Sequence, residues 1–271
     1  MRVLLLDGYN LMHRARHSMS RGFAGDDVIV YSFFRSLRPL IEKFAPDKAY
    51  FVIEGYPRQR LEMAPDYKAT RVRHDDDGFQ AQKKKIVDLL KSNFPLTVVQ
   101  HGDYECDDVL ANLIKHKHSE DDCTVVSSDS DFFQLYNHHS NVQVYNPVRK
   151  AVMPAPEYDY VTWKALRGDG ADNIPGFRGI GDKRATNLVL NKVALMDFLR
   201  KDESYPILFE KNKMLIRFHD MESEMKNIIY WDDCGSWEDV KRVFDEMEFF
   251  SITNDRSWKK FAGTFASLQL T

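Results

Sequence analysis

The sequence predicts an α/β protein with a central, mostly parallel β-sheet flanked by helices. Three short apolar runs carry the prediction, each closing on an acid beside a turn. They are RVLLLD (2–7) followed by Gly8, AYFVIEG (49–55) and CTVVSSDSD (123–131). The stretches between them repeat apolar residues every three or four positions. Apolar strands alternating with amphipathic helices are the pattern of successive β-α-β units, whose strands pair in parallel.

RVLLLD opens the fold at once as a buried strand. Its four apolar residues before Asp7 are too few for a signal peptide. A helix is expected over 27–44, then the strand at 49–55. The next helix, 79–92, spaces Ile86, Leu89 and Leu90 along one face, and the helix at 106–117 does the same with Val109, Leu110, Leu113 and Ile114. After residue 155 the strand pattern fades. EYDYVTWKALRG (157–168) reads as helix, 182–200 as two short helices, and 204–271 as mixed, mostly helical and rich in acids. Between two strands, residues 58–91 gather Arg58, Arg60, Lys68, Arg71, Arg73, Lys83, Lys84, Lys85 and Lys91. So long a basic excursion between strands is usually functional.

The 271 residues fit one large domain, or a main domain with a smaller partner. Hydrophobic residues at 43% and aromatics at 13% describe a folded chain. Cys106, Cys123 and Cys234 show no CxxC spacing, which points to a reducing compartment and against a disulfide framework or zinc site. No apolar run is long enough to span a membrane. The net charge of −3 does not advertise nucleic-acid binding.

That charge conceals its distribution. In parallel α/β sheets, ligands bind outside the carboxyl ends of the strands. Asp7, Glu54, Asp129 and Asp131 all stand at such ends. Glu105, Asp107 and Asp108 open a helix, and Asp169 and Asp172 follow another. Each cluster alone has a plain explanation, because acids cap helix N-termini and suit the dipole there. Brought together without cations, the clusters would repel. Oxygen ligands with no His or Cys pairs suit Mg²⁺ or Mn²⁺, and two such ions can serve phosphodiester hydrolysis. Setting those nine acids aside leaves 38 basic residues against 32 acids, so the rest of the chain is basic on balance. His101, His116, His118, His138 and His139 have a spacing that fits no ligand set. HDDDG (74–78) reads as a turn, since a calcium loop begun at Asp75 would end on Ile86 rather than glutamate.

Five segments resemble the 5′-to-3′ exonuclease and flap endonuclease family, which includes phage 5′ nucleases and the nuclease domain of bacterial DNA polymerase I. They are LLLDGYNLMHRA, RLEMAPDYKATR, YECDDVLA, SSDSDFFQL and GDGADNIPGFRGIGDKRA. The resemblance covers residues 1 to about 200. Glu54 stands where the family usually has aspartate, and Cys106 where it has alanine. No polymerase part follows, so the chain resembles the free-standing phage-type nuclease.

The resemblance implies a PIN-like catalytic domain over 1–165, with a helical arch at about 58–93. Residues 166–271 would hold a helix-hairpin-helix duplex-binding region and C-terminal helices. Asp7, Glu105, Asp107, Asp129 and Asp131 would surround the catalytic metal and its water. Asp108, Asp169 and Asp172 would form a second, looser position, with Glu54 at the periphery. Lys68 and Arg71, three apart, would share a helix face and reach the scissile phosphate. Tyr67 would stack on a terminal base, and Lys83, Lys84 and Lys85 would line the arch over a single-stranded 5′ end. The amides after Gly181 would receive a duplex phosphate, with Gly179 in the hairpin and Lys183 and Arg184 adding charge. The cofactors implied are two Mg²⁺ ions, replaceable by Mn²⁺, and K⁺ at the hairpin.

The substrate implied is branched or 5′-ended DNA, or an RNA–DNA hybrid, cut to leave 5′-phosphate and 3′-hydroxyl ends. The setting implied is a monomer in the cytoplasm of a bacterial or phage-infected cell, with no membrane partner and a role in replication or repair. Residues 168–185 then read as a rigid spacer between the acids that cut and the turn that grips. Two other readings stay open: a non-catalytic DNA-structure binder of the same fold, and a PIN-like ribonuclease, which lacks the segment 176–185.

Overall fold

The computed structural model describes residues 1–18, 25–71, 77–266 and 268. β1 (Arg2–Asp7) runs into α1 (Gly8–His17), and α2 (Val28–Phe44) leads to β2 (Lys48–Val52). The basic excursion holds α3 (Arg58–Met63) and α4 (Asp77–Asn93). β3 (Thr97–Gln100), α5 (Cys106–Lys117) and β4 (Asp122–Val126) follow, then a 3₁₀ segment at Ser130–Asn137. β5 (Val142–Asn146) and β6 (Ala151–Val152) precede α6 (Tyr160–Arg167). The helical part continues with α7 (Asp182–Leu190), α8 (Lys192–Leu199) and α9 (Ser204–Ile216). β7 (Ile229–Trp231) and α10 (Trp237–Glu246), α11 (Phe250–Thr253) and α12 (Asp255–Phe265) complete the described chain.

The expected central sheet flanked by helices is present. Its seven strands run in the order β6-β5-β4-β1-β2-β3-β7. The five central strands are parallel, and β6 and β7 join antiparallel at the edges. Alternation along β1 sends Leu4 and Leu6 into the core on one face and Val3 and Leu5 into the core on the other. The first core is covered by α1, α2, α4 and α10–α12, the second largely by α5. A third cluster unites α6–α9 with Ala64 and Tyr67.

Register explains why acids distant in sequence share one rim. Asp7 pairs with Val52, and Leu6 with Val126, so Asp7, Glu54 and Asp129 all emerge just past the same edge. Because β1 lies between β2 and β4, connections leave to both sides and a crevice opens at its carboxyl end.

Several elements differ from the sequence reading. The turn expected at Gly8 is the first residue of α1, and Asp7 caps that helix by accepting from the Asn10 amide at 3.0 Å. A Cβ on Gly8 would lie 2.5 Å from the Val52 carbonyl oxygen, so glycine lets helix and sheet meet this closely. β3, β5, β6 and β7 are additional to the three strands the sequence predicts. They are two to five residues long and give little periodic signal. The turn expected at 74–78 lies outside the described residues up to 76, and α4 begins at Asp77. No helix among the described residues is long and apolar enough to cross a membrane.

Candidate active site

The rim forms a pocket lined by Asp7, Glu54, Glu105, Asp107, Asp129, Asp131 and Asp172, with Lys68, Arg71, Arg60 and Lys164 among them. Each acid has a local reason for its place. Asp7 ends β1, Glu105 and Asp107 sit at the start of α5, and Asp129 caps the 3₁₀ segment by accepting from the Asp131 amide at 2.9 Å. Asp169 and Asp172 bound a single 3₁₀ turn after α6.

The acids divide into two groups. Asp131, Asp169 and Asp172 bring carboxylate oxygens within 4.8 Å of one another. Cations of the chain already serve them. The Lys164 ammonium bridges Asp131 and Asp169, at 2.6 Å from the latter, and Arg71 pairs with Asp172. Tyr160 adds a phenol bond to Asp131 at 3.0 Å. Glu105 takes Lys68, Arg60 at 2.8 Å and the Tyr67 phenol at 3.1 Å. Asp7, Glu54, Asp107 and Asp129 form no ion pair among the described residues. Asp7 accepts from the Ser127 hydroxyl at 2.7 Å, and Glu54 from the Cys106 amide at 3.2 Å.

Burial raises carboxyls in both groups. Burial pushes Asp7 up to about 6 against the hydrogen bonds from Ser127 and Asn10. Desolvation of its carboxyl, then Glu105, pushes Glu54 to about 7, although its side chain is more open to solvent than that of Asp7. Asp107 rises well above the carboxylate range through burial, then through Asp7, Asp129 and Glu54. Burial takes Asp131 to about 6 even beside Lys164. Burial opposes the charge on Lys164, but Asp131, Tyr160 and Asp169 outweigh it and raise its pKa. Seven carboxyls against four bases leave the pocket with more acids than its own bases can pair. Clustered oxygen donors in that condition fit hard divalent cations.

Asp108 departs from the metal role expected of it. It is fully buried, and its carboxylate takes both Arg60 nitrogens, at 2.5 and 2.9 Å, and the His219 amide at 2.8 Å. Successive helix residues point about 100° apart, so one of the Asp107–Asp108 pair faces the pocket and the other the core. Tyr67 is buried too. Its hydroxyl donates to Glu105 and Asp172, so its ring is not open as a stacking platform. Lys68 and Arg71 lie on a turn rather than a helix face, with Lys68 at φ +57°. Glu54 is among the residues that line the pocket.

On α4, the Lys83 ammonium lies 5.2 Å from the ring centre of Tyr9, a pocket residue, while Lys84 pairs with Asp88 and Lys85 with Asp27. Gly181 is the N-cap of α7, with no side-chain cap, and Lys183 and Arg184 are exposed on its first turn. Gly179 has φ +76° in the turn before them. The sequence marks Arg60 only as one of the basic residues of 58–91 and does not single out Tyr160 or Lys164; Arg60, Tyr160 and Lys164 all contact the site's acids. A usable signal existed for two of them, since Tyr160 and Lys164 are four apart and share a helix face just before Asp169.

Fold and site together define an α/β protein with a cation-seeking acidic rim at the switch point of a parallel sheet. Residues 2–163 match the family model described as 5′-3′ exonuclease, N-terminal resolvase-like domain, and the chain belongs to that family. It is 35% identical over 201 residues to a thermostable DNA polymerase I of Thermus filiformis, covering 69% of this chain and 23% of that protein. It therefore spans about a quarter of the length of that polymerase. A 5′-3′ exonuclease of Mycoplasmopsis pulmonis is 25% identical over 227 residues, which is 80% of this chain and 75% of the other. Among solved structures, the bacteriophage T5 D15 flap endonuclease with DNA and metal ions superposes at a TM-score of 0.64 and 22% identity, covering 80% of this chain and 89% of that one. At that identity the likeness concerns the fold, the PIN-like arrangement expected above.

Proposed function

We propose that the chain is a structure-selective 5′ nuclease that hydrolyses DNA phosphodiesters at 5′ ends and flaps, using two divalent cations. Mg²⁺ is the natural ion and Mn²⁺ substitutes for it. The observation that carries the reading is one pocket lined by four acids without ion pairs, by two bases, Lys68 and Arg71, and by Asp131 and Asp172, which with Asp169 beside the pocket bring their carboxylate oxygens within 4.8 Å of one another. The related proteins described as 5′-3′ exonuclease and flap endonuclease support it.

Asp7, Glu54, Asp107 and Asp129 would hold the tighter cation, and Asp131, Asp169 and Asp172 the looser one. Bound there, the cations supply an activated water and charge for the leaving oxygen. The protein's own groups do the rest. Asp7 and Asp129 are fixed in place by Ser127 and by main-chain amides, so little reorganisation is left for the reaction. When substrate arrives, Lys68 and Arg71 exchange Glu105 and Asp172 for the scissile phosphate and neutralise its charge. Gly181, Lys183 and Arg184 take a duplex phosphate at the amino end of α7, where α6, the glycine turn and α7 act as a helix-hairpin-helix grip. Lys83, Lys84 and Lys85 attract the 5′ strand toward α4. The products are 5′-phosphate and 3′-hydroxyl ends.

The test is cleavage of a 5′-labelled flap, a nicked duplex and an RNA–DNA hybrid, with Mg²⁺ and with EDTA. Cleavage of the flap in Mg²⁺ alone is expected, and the hybrid lane reports whether RNA is accepted. Binding of the flap without cleavage of any substrate would replace the reading with that of a non-catalytic DNA-structure binder.

A further inference from the structure

Lys68 occupies the left-handed region at φ +57°, a conformation that a long side chain keeps only where its surroundings impose it. The Lys68 ammonium reaches Glu105, but the main chain of its turn is held from one segment, 170–173. The Lys68 amide donates to the Asp172 carbonyl at 3.0 Å, and Arg71 Nε donates to the Ala171 carbonyl at 3.2 Å. The Thr70 hydroxyl reaches the Gly170 carbonyl at 3.4 Å. Two side chains of the segment reach back to the turn: the Asp172 carboxylate, which takes Arg71 and the Tyr67 hydroxyl, and Asn173. Its Nδ2 donates to the Asp66 carbonyl at 2.9 Å and to the Asp66 carboxylate at 3.1 Å, two residues before Lys68. Asn173 is itself left-handed, at φ +58°, a region that asparagine tolerates better than most residues.

From this geometry we infer that Asn173 is a positioning residue for Lys68: its amide holds the 66–71 turn in the one arrangement that aims the Lys68 ammonium into the pocket. Asn173 does not line the acidic pocket, so it acts through the turn and not by touching the reacting atoms. The segment it belongs to also carries Asp169 and Asp172 and continues through Pro175 and Gly176 toward α7. A Cβ on Gly176 would lie 1.9 Å from the Arg167 carbonyl oxygen, so this continuation is packed hard against the end of α6. One rigid segment thus sets the acids, the lysine and the approach to the grip relative to one another.

The inference rests on the catalytic role proposed for Lys68, and a double-mutant cycle on flap cleavage in Mg²⁺ separates the two. Asn173→Ala is expected to lower kcat by roughly 10- to 100-fold, the scale of a small misplacement of a reacting group, with KM little changed. Asn173→Gly keeps the left-handed backbone at no cost and removes the amide, and it is expected to lose as much. In a Lys68→Ala background, Asn173→Ala is expected to cost almost nothing further, because the residue it positions is gone. Melting curves for each variant establish that the chain is folded, and Asn173→Gly serves if the alanine variant is not. Losses that multiply across the cycle, or an Asn173→Gly enzyme with wild-type kcat, would overturn the inference. Full activity in Lys68→Ala alone would instead remove the role of Lys68, and the inference with it.

Discussion

Arg60 and Asp108 meet as a two-pronged ion pair in the interior, Nη1 to Oδ2 at 2.5 Å and Nη2 to Oδ1 at 2.9 Å, with neither side chain more than 5% exposed. Arg60 also donates to the carbonyls of Leu215 and Arg217, and Asp108 accepts from the His219 amide. The pair therefore ties the chain leaving α9 to the start of α5, directly behind Glu105. Planar guanidinium and carboxylate satisfy each other in this geometry, and removing Asp108 leaves the buried Arg60 charge with Glu105 as its one remaining acid and without its two-pronged partner.

Asp108→Ala should accordingly lower stability by about 3–5 kcal/mol, read from denaturant unfolding. Its affinity for Mn²⁺, measured by calorimetry under folding conditions, should match that of the wild type. A loss of cation affinity with unchanged stability would return Asp108 to the metal set.

Lys164 leads to a prediction of opposite sign. Its ammonium lies between Asp131 and Asp169 with 8% of the side chain exposed, where it supplies charge that a second cation would otherwise supply. An opposite charge at this range changes a carboxylate's proton affinity by 1–3 pKa units. A divalent ion competing for the same oxygens meets a comparable obstacle. Lys164→Gln should therefore tighten the weaker Mn²⁺ step by about tenfold or more, while lowering the melting temperature in EDTA. Calorimetric titration of the metal-free protein decides it, and an unchanged weaker step counts against the role given to Lys164.

The acidic rim should also be visible in stability against pH. Asp7 is pushed from the ordinary value of 3.8 up to about 6 in the folded chain, chiefly by burial. Between those values the native state holds a proton that the unfolded state has released. Stability from this group is therefore full below about 4, falls as pH rises through that window, and is lost above about 6. Asp7→Asn removes the charge while keeping an oxygen able to cap α1. In EDTA at pH 8 it should be more stable than the wild type by about 1–3 kcal/mol, and the advantage should vanish near pH 4. His118, His139 and His219, held below their ordinary values by burial, oppose this trend below about 6.5 in both proteins and cancel in the difference. Adding Mg²⁺ at pH 8 should reverse the order if Asp7 is a ligand as proposed, since only the wild type then keeps the full set.

These cases mark how far the sequence could be read. Strand ends and helix starts announced the rim, because a run such as RVLLLD followed by glycine shows both its period and its end. Which acids face the rim depended on helix phase and tertiary pairing. Asp107 and Asp108 are adjacent in sequence, and only the packing of Arg60 from α3 decides which one is spent internally. Lys68 and Arg71 at three-residue spacing suggested a helix, yet the hydrogen bonds from 170–173 hold a turn instead. Neighbours about a hundred residues away made that choice, and local propensity carries no record of them. Short edge strands such as β7 were invisible for a related reason, since three residues gain strand geometry only by pairing with β3.

The duplex grip proposed at α7 gives the last prediction. The amino end of α7 offers main-chain amides with no side-chain cap, and Lys183 and Arg184 stand exposed beside them. Asp182, also on the first turn, is drawn to Arg167 at 2.5 Å, which removes part of the negative charge that would oppose a phosphate there. Contacts of this kind are sequence-independent and release counterions, so each phosphate contact steepens the salt dependence of binding by about one unit of log K per log of salt. Lys183→Ala and Arg184→Ala should each weaken binding of a flap or nicked duplex whatever its sequence, and should flatten the salt slope by about one unit. Lys84→Ala, whose ammonium is engaged with Asp88, should change the slope less. Filter binding across a salt series in Ca²⁺ measures all three. A slope unchanged in both α7 variants would move the duplex to another face of the molecule.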